Sequence, residues 1–160
     1  MVIKVKRIAV LLLTVIMVLL LLPANAYAAS DLLETQVVKV QRFTDGSYLV
    51  ITMQTIETYA SGTKTGTDTY TYYSASNEIS WKAVLTGTFT YNGTTATCTS
   101  SSCNVTVYNN NWYVISKSVS KNANAAIGTV TMGYKFLGVT VKRDTYDLSL
   151  SCDPNGNLGP

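Results

Sequence analysis

Residues Ile79 to Tyr91 read ISWKAVLTGTFTY, and their polarity alternates almost without a break. Ile79, Trp81, Ala83, Leu85, Gly87, Phe89 and Tyr91 share one parity. Ser80, Lys82, Thr86, Thr88 and Thr90 share the other, with Val84 the one apolar residue among them. Successive side chains of a strand point to opposite faces, so this pattern predicts one long strand with a single buried side. Asn92-Gly93 follows, a pair suited to the positive φ angles of a two-residue hairpin turn. The segment TTATCT then returns, with Ala96 and Cys98 in phase.

The same grammar extends in both directions. TQVVKVQRF and YLVITMQTIE flank TDGS, where Asp45-Gly46 is a second hairpin signal. TDTYTYY is strand-like after a loop rich in Gly and Thr. CNVTVY and NWYVISKSV flank the polar turn Asn109–Asn111, and AAIGTVTMGYKF places Val130, Met132, Tyr134 and Phe136 on one side. In the last strand, GVTVKRDTYDLSLSC, Val139 and Val141 lie out of phase with Tyr146, Leu148, Leu150 and Cys152, so a bulge is expected near Lys142 to Asp144. Thr, Val and Tyr dominate, residues that fit a pleated, half-buried surface. No connection is long enough for a parallel crossover. The expected fold is an all-β antiparallel sandwich of about nine strands joined by hairpins, with an up-and-down barrel as the alternative closure.

The N-terminus obeys a different rule. Lys4, Lys6 and Arg7 precede an apolar run from Ile8 to Leu22, broken only by Thr14, and Pro23 leads into small residues. This is the order of a secretory signal peptide, with A-x-A sites ending at Ala26 and Ala28. Cleavage after Ala28 is expected, giving a signal peptide over 1–28 and a single all-β domain over 29–160. The apolar run is shorter than the roughly 20 residues of a spanning helix. A secreted, extracellular protein with no membrane attachment after cleavage is therefore expected. Cleavage also changes the charge. The chain carries 12 basic and 9 acidic residues, and the leader removes three basic ones, leaving nine against nine. A neutral domain lacks the clustered cations that nucleic acid requires, which excludes nucleic-acid binding.

The runs TYTYYSASNEISWKAVLTGTFTYNGTTATCT and NNNWYVISKSVSKNANAAIGTVTMGY and the ending LSLSCDPNGN resemble a group of small secreted proteins of Gram-positive, clostridia-like bacteria. Members of that group carry a signal peptide followed by an all-β domain. The resemblance implies export and a disulfide between Cys98 and Cys152, and it lends no catalytic residue. Three cysteines fall in the exported part, where disulfides persist. Pairing Cys98 with Cys152 closes the longer loop, worth about 4 kcal/mol in the chain-entropy model; Cys98 with Cys103 would clip a short one. The odd cysteine, Cys103 in the first pairing, is then free to link a dimer.

Few chemistries remain open. The chain has no histidine, which removes Ser-His-Asp and Cys-His catalysis and the usual zinc ligands. A carboxylate pair would still serve a glycosidase, and Asp144 and Asp147 could sit on a sheet rim, but the sequence pairs neither with a second acid. Asp153, Asn155 and Asn157 alternate as in a calcium loop, yet three oxygens fall short of calcium's six to eight, and Asp-Pro-Asn-Gly is a good turn. No catalytic residue, metal or cofactor is assigned. The aromatics carry what functional signal there is. Tyr70 and Tyr72 alternate on one face of TYTYY with Tyr73 on the other, and Trp112 adjoins a polar turn where an exposed ring is expected. These four are the candidate ligand-stacking residues, while Trp81 reads as core. Two function classes stay open: a non-catalytic module for polysaccharide or cell-wall material, or a protein-interaction or structural module.

Overall fold

The computed structural model describes residues 33–56 and 62–160, so the expected signal peptide lies outside the described residues. Among the described residues, nine strands run in chain order: β1 (Leu33–Arg42), β2 (Tyr48–Ile56), β3 (Thr63–Tyr73), β4 (Ile79–Tyr91), β5 (Ala96–Val107), β6 (Trp112–Asn122), β7 (Ala125–Phe136), β8 (Val139–Cys152) and β9 (Leu158–Gly159). They form two antiparallel sheets, ordered β1-β2-β3-β4-β5 and β6-β7-β8-β9. The fold is a β-sandwich, not a closed barrel. The count of nine matches the sequence expectation, but its membership differs. TTATCT and CNVTVY are one strand, β5, and the last strand is the short β9.

The inner face of β4 is the centre of the core. Trp81, Ala83, Leu85 and Phe89 have no exposed surface, and Val130, Met132, Leu148 and Leu150 meet them from the other sheet. Among the described residues, the buried core runs from Leu49 to Cys152. Gly87 and Gly66 admit the opposing layer. A Cβ at Gly87 would stand 2.7 Å from the Phe89 ring of its own strand and 3.0 Å from the Ala126 side chain of the facing sheet, and one at Gly66 would overlap the Leu158 side chain.

Bulges, which the alternation rule does not locate, set several faces. In β4 the register passes from Tyr72↔Trp81 to Tyr73↔Ile79, leaving Ser80 as the extra residue. Ser80 is therefore buried and Ile79, expected inside, is 40 % exposed. In β5 Phe89 pairs with Cys98 and Thr88 with Ser100, so Thr99 is extra and Cys98 and Cys103 face the same side despite their odd spacing. In β8 Tyr134 pairs with Lys142 and Lys135 with Thr140, so the bulge is at Val141, one residue before the expected range. Phe136, expected to continue the inner row of β7, lies at the tip of the β7–β8 hairpin, where both Lys135 and Phe136 are exposed.

The turns also differ from expectation. Asn92-Gly93 is not a two-residue turn: Asn92 to Thr95 form a longer connection in which only Gly93 has positive φ, and Asn92 Oδ1 accepts the amides of Thr94 and Thr95. Three hairpins share one three-residue pattern, seen at Phe43–Ser47, Ser74–Glu78 and Asp153–Asn157. In each, Gly46, Asn77 or Gly156 takes positive φ and its amide returns to the carbonyl that opens the turn.

Candidate functional site

One end of the sandwich gathers the β1–β2, β3–β4 and β5–β6 turns beside the base of the β7–β8 hairpin. Between them lies a cleft of about 260 Å³ whose lining includes Asp45, Ser47, Tyr72, Ser80, Asn109, Trp112, Tyr134 and Lys142. Its positioning is local in origin. Asp45 closes an Asx turn by accepting the Ser47 amide at 2.9 Å. The Ser80 bulge turns that residue inward, and its carbonyl accepts the amides of Tyr108 and Asn109 at 2.9 and 3.0 Å. Alternation along β8 from Leu148 through Tyr146 and Asp144 brings Lys142 onto the rim, one residue inside the Val141 bulge.

A directed hydrogen-bond chain crosses the cleft. Ser47 Oγ donates to Asp45 Oδ1 at 2.5 Å and lies 2.6 Å from Tyr72 Oη, while Lys142 Nζ donates to Tyr72 Oη at 3.5 Å. A serine hydroxyl has one proton, so Tyr72 is the donor to Ser47. The chain therefore runs from the Lys142 ammonium through two hydroxyls to the Asp45 carboxylate. Ser47 holds the Asp45 carboxyl below its ordinary pKa, through its hydroxyl and then its amide. Partial burial acts to lower the Lys142 pKa, but Tyr72 and the 3.2 Å ion pair with Asp144 outweigh it and raise the value, so the cation persists.

Aromatic rings form the walls. Trp112 lies 4.9 Å from Tyr72 and 5.2 Å from Tyr134, both tilted, and Trp81 stacks beneath Tyr72 at 5.5 Å. Lys142 Nζ stands 5.1, 5.5 and 5.9 Å from the ring centres of Phe43, Tyr72 and Trp112, within cation–π range. The cleft thus combines fixed ring faces, hydroxyl and amide groups, and one charge of each sign.

Of the four aromatics singled out from sequence, the structure brings two together here. Tyr72 and Trp112 are both cleft walls, but Trp112 is 6 % exposed, not the exposed ring expected, because Tyr72 and Tyr134 flank it. Tyr70 points between the sheets and donates to the Asp147 carbonyl at 2.8 Å, edge-on to Tyr146. Tyr73 lies on the outer face, stacked on Tyr48 at 4.8 Å. Alternation sends Tyr70 and Tyr72 into the sandwich, so they make no flat outer row. Sequence reasoning did not single out Ser47, Ser80, Asn109, Tyr134 or Lys142 for this site. The Asp-Gly-Ser turn and the parity break before Lys142 were the available signals.

The expected Cys98–Cys152 disulfide is not formed. Cys98, Cys103 and Cys152 are all buried free thiols. Cys98 and Cys152 belong to facing sheets, and their amides donate to the consecutive carbonyls of Ala123 and Asn124 at 2.8 and 3.0 Å. Each thiol turns to a nearby carbonyl, Cys98 to Ser100 at 3.3 Å and Cys152 to Asp153 at 3.4 Å. Cys98 and Cys103 lie four register steps apart on one strand, roughly 13 Å, which excludes their pairing. Burial raises the pKa of all three. Cys103 is 4 % exposed and faces the core, where a second chain does not reach it.

The acids resolve individually. Asp144 and Asp147 point to opposite sides of β8: Asp144 pairs with Lys142, and Asp147 accepts the Thr129 hydroxyl at 2.9 Å. Asp153 Oδ1 accepts the amides of Asn155 and Asn157, each at 2.8 Å, so its oxygens hold the turn. No metal-binding group of three or more ligands occurs among the described residues. Asp68 is the exception in the interior. It is 2 % exposed, Oδ2 accepts the Ser149 amide at 3.2 Å, and Oδ1 has no hydrogen-bond partner. Desolvation pushes its pKa up to about 6. The chain matches no protein-family model, no curated protein and no solved structure.

Proposed function

We propose that the protein is a secreted, non-catalytic module that binds polysaccharide or other cell-envelope glycan through the end cleft. The observation that carries this reading is the cleft itself, in which the half-buried Tyr134 ring, backed by the buried Tyr72 and Trp112, stands beside Ser47, Ser80, Asn109 and Lys142. Sugars present an apolar ring face and a hydroxyl rim, and this lining offers a partner for each. Ligand sites usually occupy about 300–1,000 Å³, so a cleft of about 260 Å³ suits the end of a glycan better than an extended chain. Export through residues 1–28 would place the cleft outside the cell.

The test is retention of the chain from Ala29 onward on insoluble peptidoglycan and common polysaccharides, with tryptophan fluorescence for soluble hits. Retention that drops on Lys142→Ala and Asn109→Ala supports the reading. Absence of retention on every material overturns it.

One observation favours the second class, a protein-interaction module. Every residue from Glu34 to Arg42 on the edge strand β1 is exposed, including Val37, Val38 and Val40. Unpaired edges invite a further strand, although the bulge at Val38 interrupts this one. A partner captured through this edge would be lost on Val40→Lys and kept on Lys142→Ala.

A further inference from the structure

The β7–β8 hairpin ends unlike every other described turn. Phe136, Leu137, Val139 and Val141 are 60, 89, 65 and 59 % exposed, a contiguous apolar tip. Phe136 pairs with Val139, and Leu137-Gly138 closes the turn with φ of 50° and 81°. Positive φ at both positions selects Asn, Asp or Gly, whereas the Cβ of leucine meets the backbone there. The exposed Leu137 side chain gains too little burial within the protein to offset that cost. A costly residue that the fold does not use points to something outside the fold.

Charge says what that is. Lys135, Lys142 and Arg143 surround the tip, and the first acid along either strand is Asp144, which is paired with Lys142. Among the described residues Lys135 and Arg143 make no ion pair, and Lys135 lies over the Tyr113 ring at 4.6 Å. At about 3.3 Å per residue, Lys135 stands about 3 Å and Arg143 about 10 Å behind the Phe136–Val139 rung. Apolar groups foremost, then cations and tyrosines, is the depth order of a bilayer interface, into which apolar faces sink about 5–10 Å. Four apolar side chains fall well short of the roughly 20–30 residues a side of a stable protein interface, which argues against a second copy.

We propose that this tip inserts into the interface of an anionic lipid bilayer. Phe136, Leu137 and Val139 enter the acyl boundary, and Lys135 and Arg143 meet headgroup phosphates. One small tip gives reversible, salt-sensitive attachment. The inference departs from the sequence expectation of no membrane contact after leader cleavage. It is also independent of the glycan reading, since vesicles carry no glycan.

The test is sedimentation of the chain from Ala29 onward with equimolar phosphatidylglycerol–phosphatidylcholine vesicles and with phosphatidylcholine alone. Expected are binding to the anionic vesicles, weaker binding to the neutral ones, and about tenfold weaker partitioning for Leu137→Asn with an unimpaired melting temperature. Lys135→Glu combined with Arg143→Glu removes the preference for anionic lipid. No binding to anionic vesicles, equal binding to both kinds, or undiminished binding by Leu137→Asn overturns the proposal. A concentration-dependent dimer lost in Leu137→Asn, without vesicle binding, also overturns it and assigns the tip to a second copy.

Discussion

Two tips of this molecule, Asn92–Thr95 and Leu137–Gly138, use their residues in opposite ways. At the first, Asn92 accepts two amides, and the Gly93 amide donates to the Pro154 carbonyl at 2.8 Å, locking the turn to the β8–β9 connection. At the second, a leucine occupies a left-handed position, and the space around Gly138 is empty to 4 Å. The first tip serves the fold; the second costs it about 1 kcal/mol. A turn's sequence shows what it offers the chain, while only exposure shows what it offers the surroundings. The cleft opens beside the base of the second tip.

The contrast between residues that serve the fold and residues that cost it can be strained first in the core, where Asp68 is a second residue held at a cost. Its folded pKa of about 6 exceeds the ordinary 3.8, so the folded state keeps a proton that the unfolded state has lost between those values. Stability is therefore greatest below about pH 4 as far as this group is concerned, and falls as pH rises through 6. Asp68→Asn should stabilise the protein at pH 7 by up to about 3 kcal/mol and remove that pH dependence, as read by urea unfolding at pH 4 and pH 7. No gain at pH 7 would mean that the carboxylate is solvated, and burial would cease to be its cost.

A glycine pair sharpens the contrast between the two ends. Gly156 has φ of 86°, and a Cβ there would stand 2.5 Å from the Tyr91 ring beside the Asn92 turn; Gly138 has a similar φ of 81° and open space. Gly156→Ala should destabilise by about 2–3 kcal/mol, combining backbone strain with overpacking, and Gly138→Ala by about 1. Equal losses in thermal unfolding would remove the claim that only the first end is packed. Asn92→Ala should cost about 1 kcal/mol by denaturant titration, since two amides lose their acceptor at an exposed site. The smallest effect has the opposite sign. Leu137→Asn should raise stability by about 0.5 kcal/mol, because asparagine tolerates the left-handed region. A loss of stability there would show that Leu137 has an intramolecular role.

Much of this protein is dictated by sequence alone. The alternation of β4, the pairing of neighbouring strands through short connections, the all-β class and the core positions of Trp81, Leu85 and Phe89 were all legible. They are consequences of covalent geometry, since a period of two is imposed residue by residue. Tertiary structure decided the rest. Ser80, Thr99 and Val141 become bulge residues because the facing strand skips them, and each bulge reverses the face of the residues beyond it. That is why Ile79 is exposed and Cys98 and Cys103 face one way, whereas Lys142 reaches Tyr72, 70 positions distant in the chain, because the two sheets pack face to face. Local pattern determines which side chains share a strand face; the meeting of faces from distant segments determines which of them form a site.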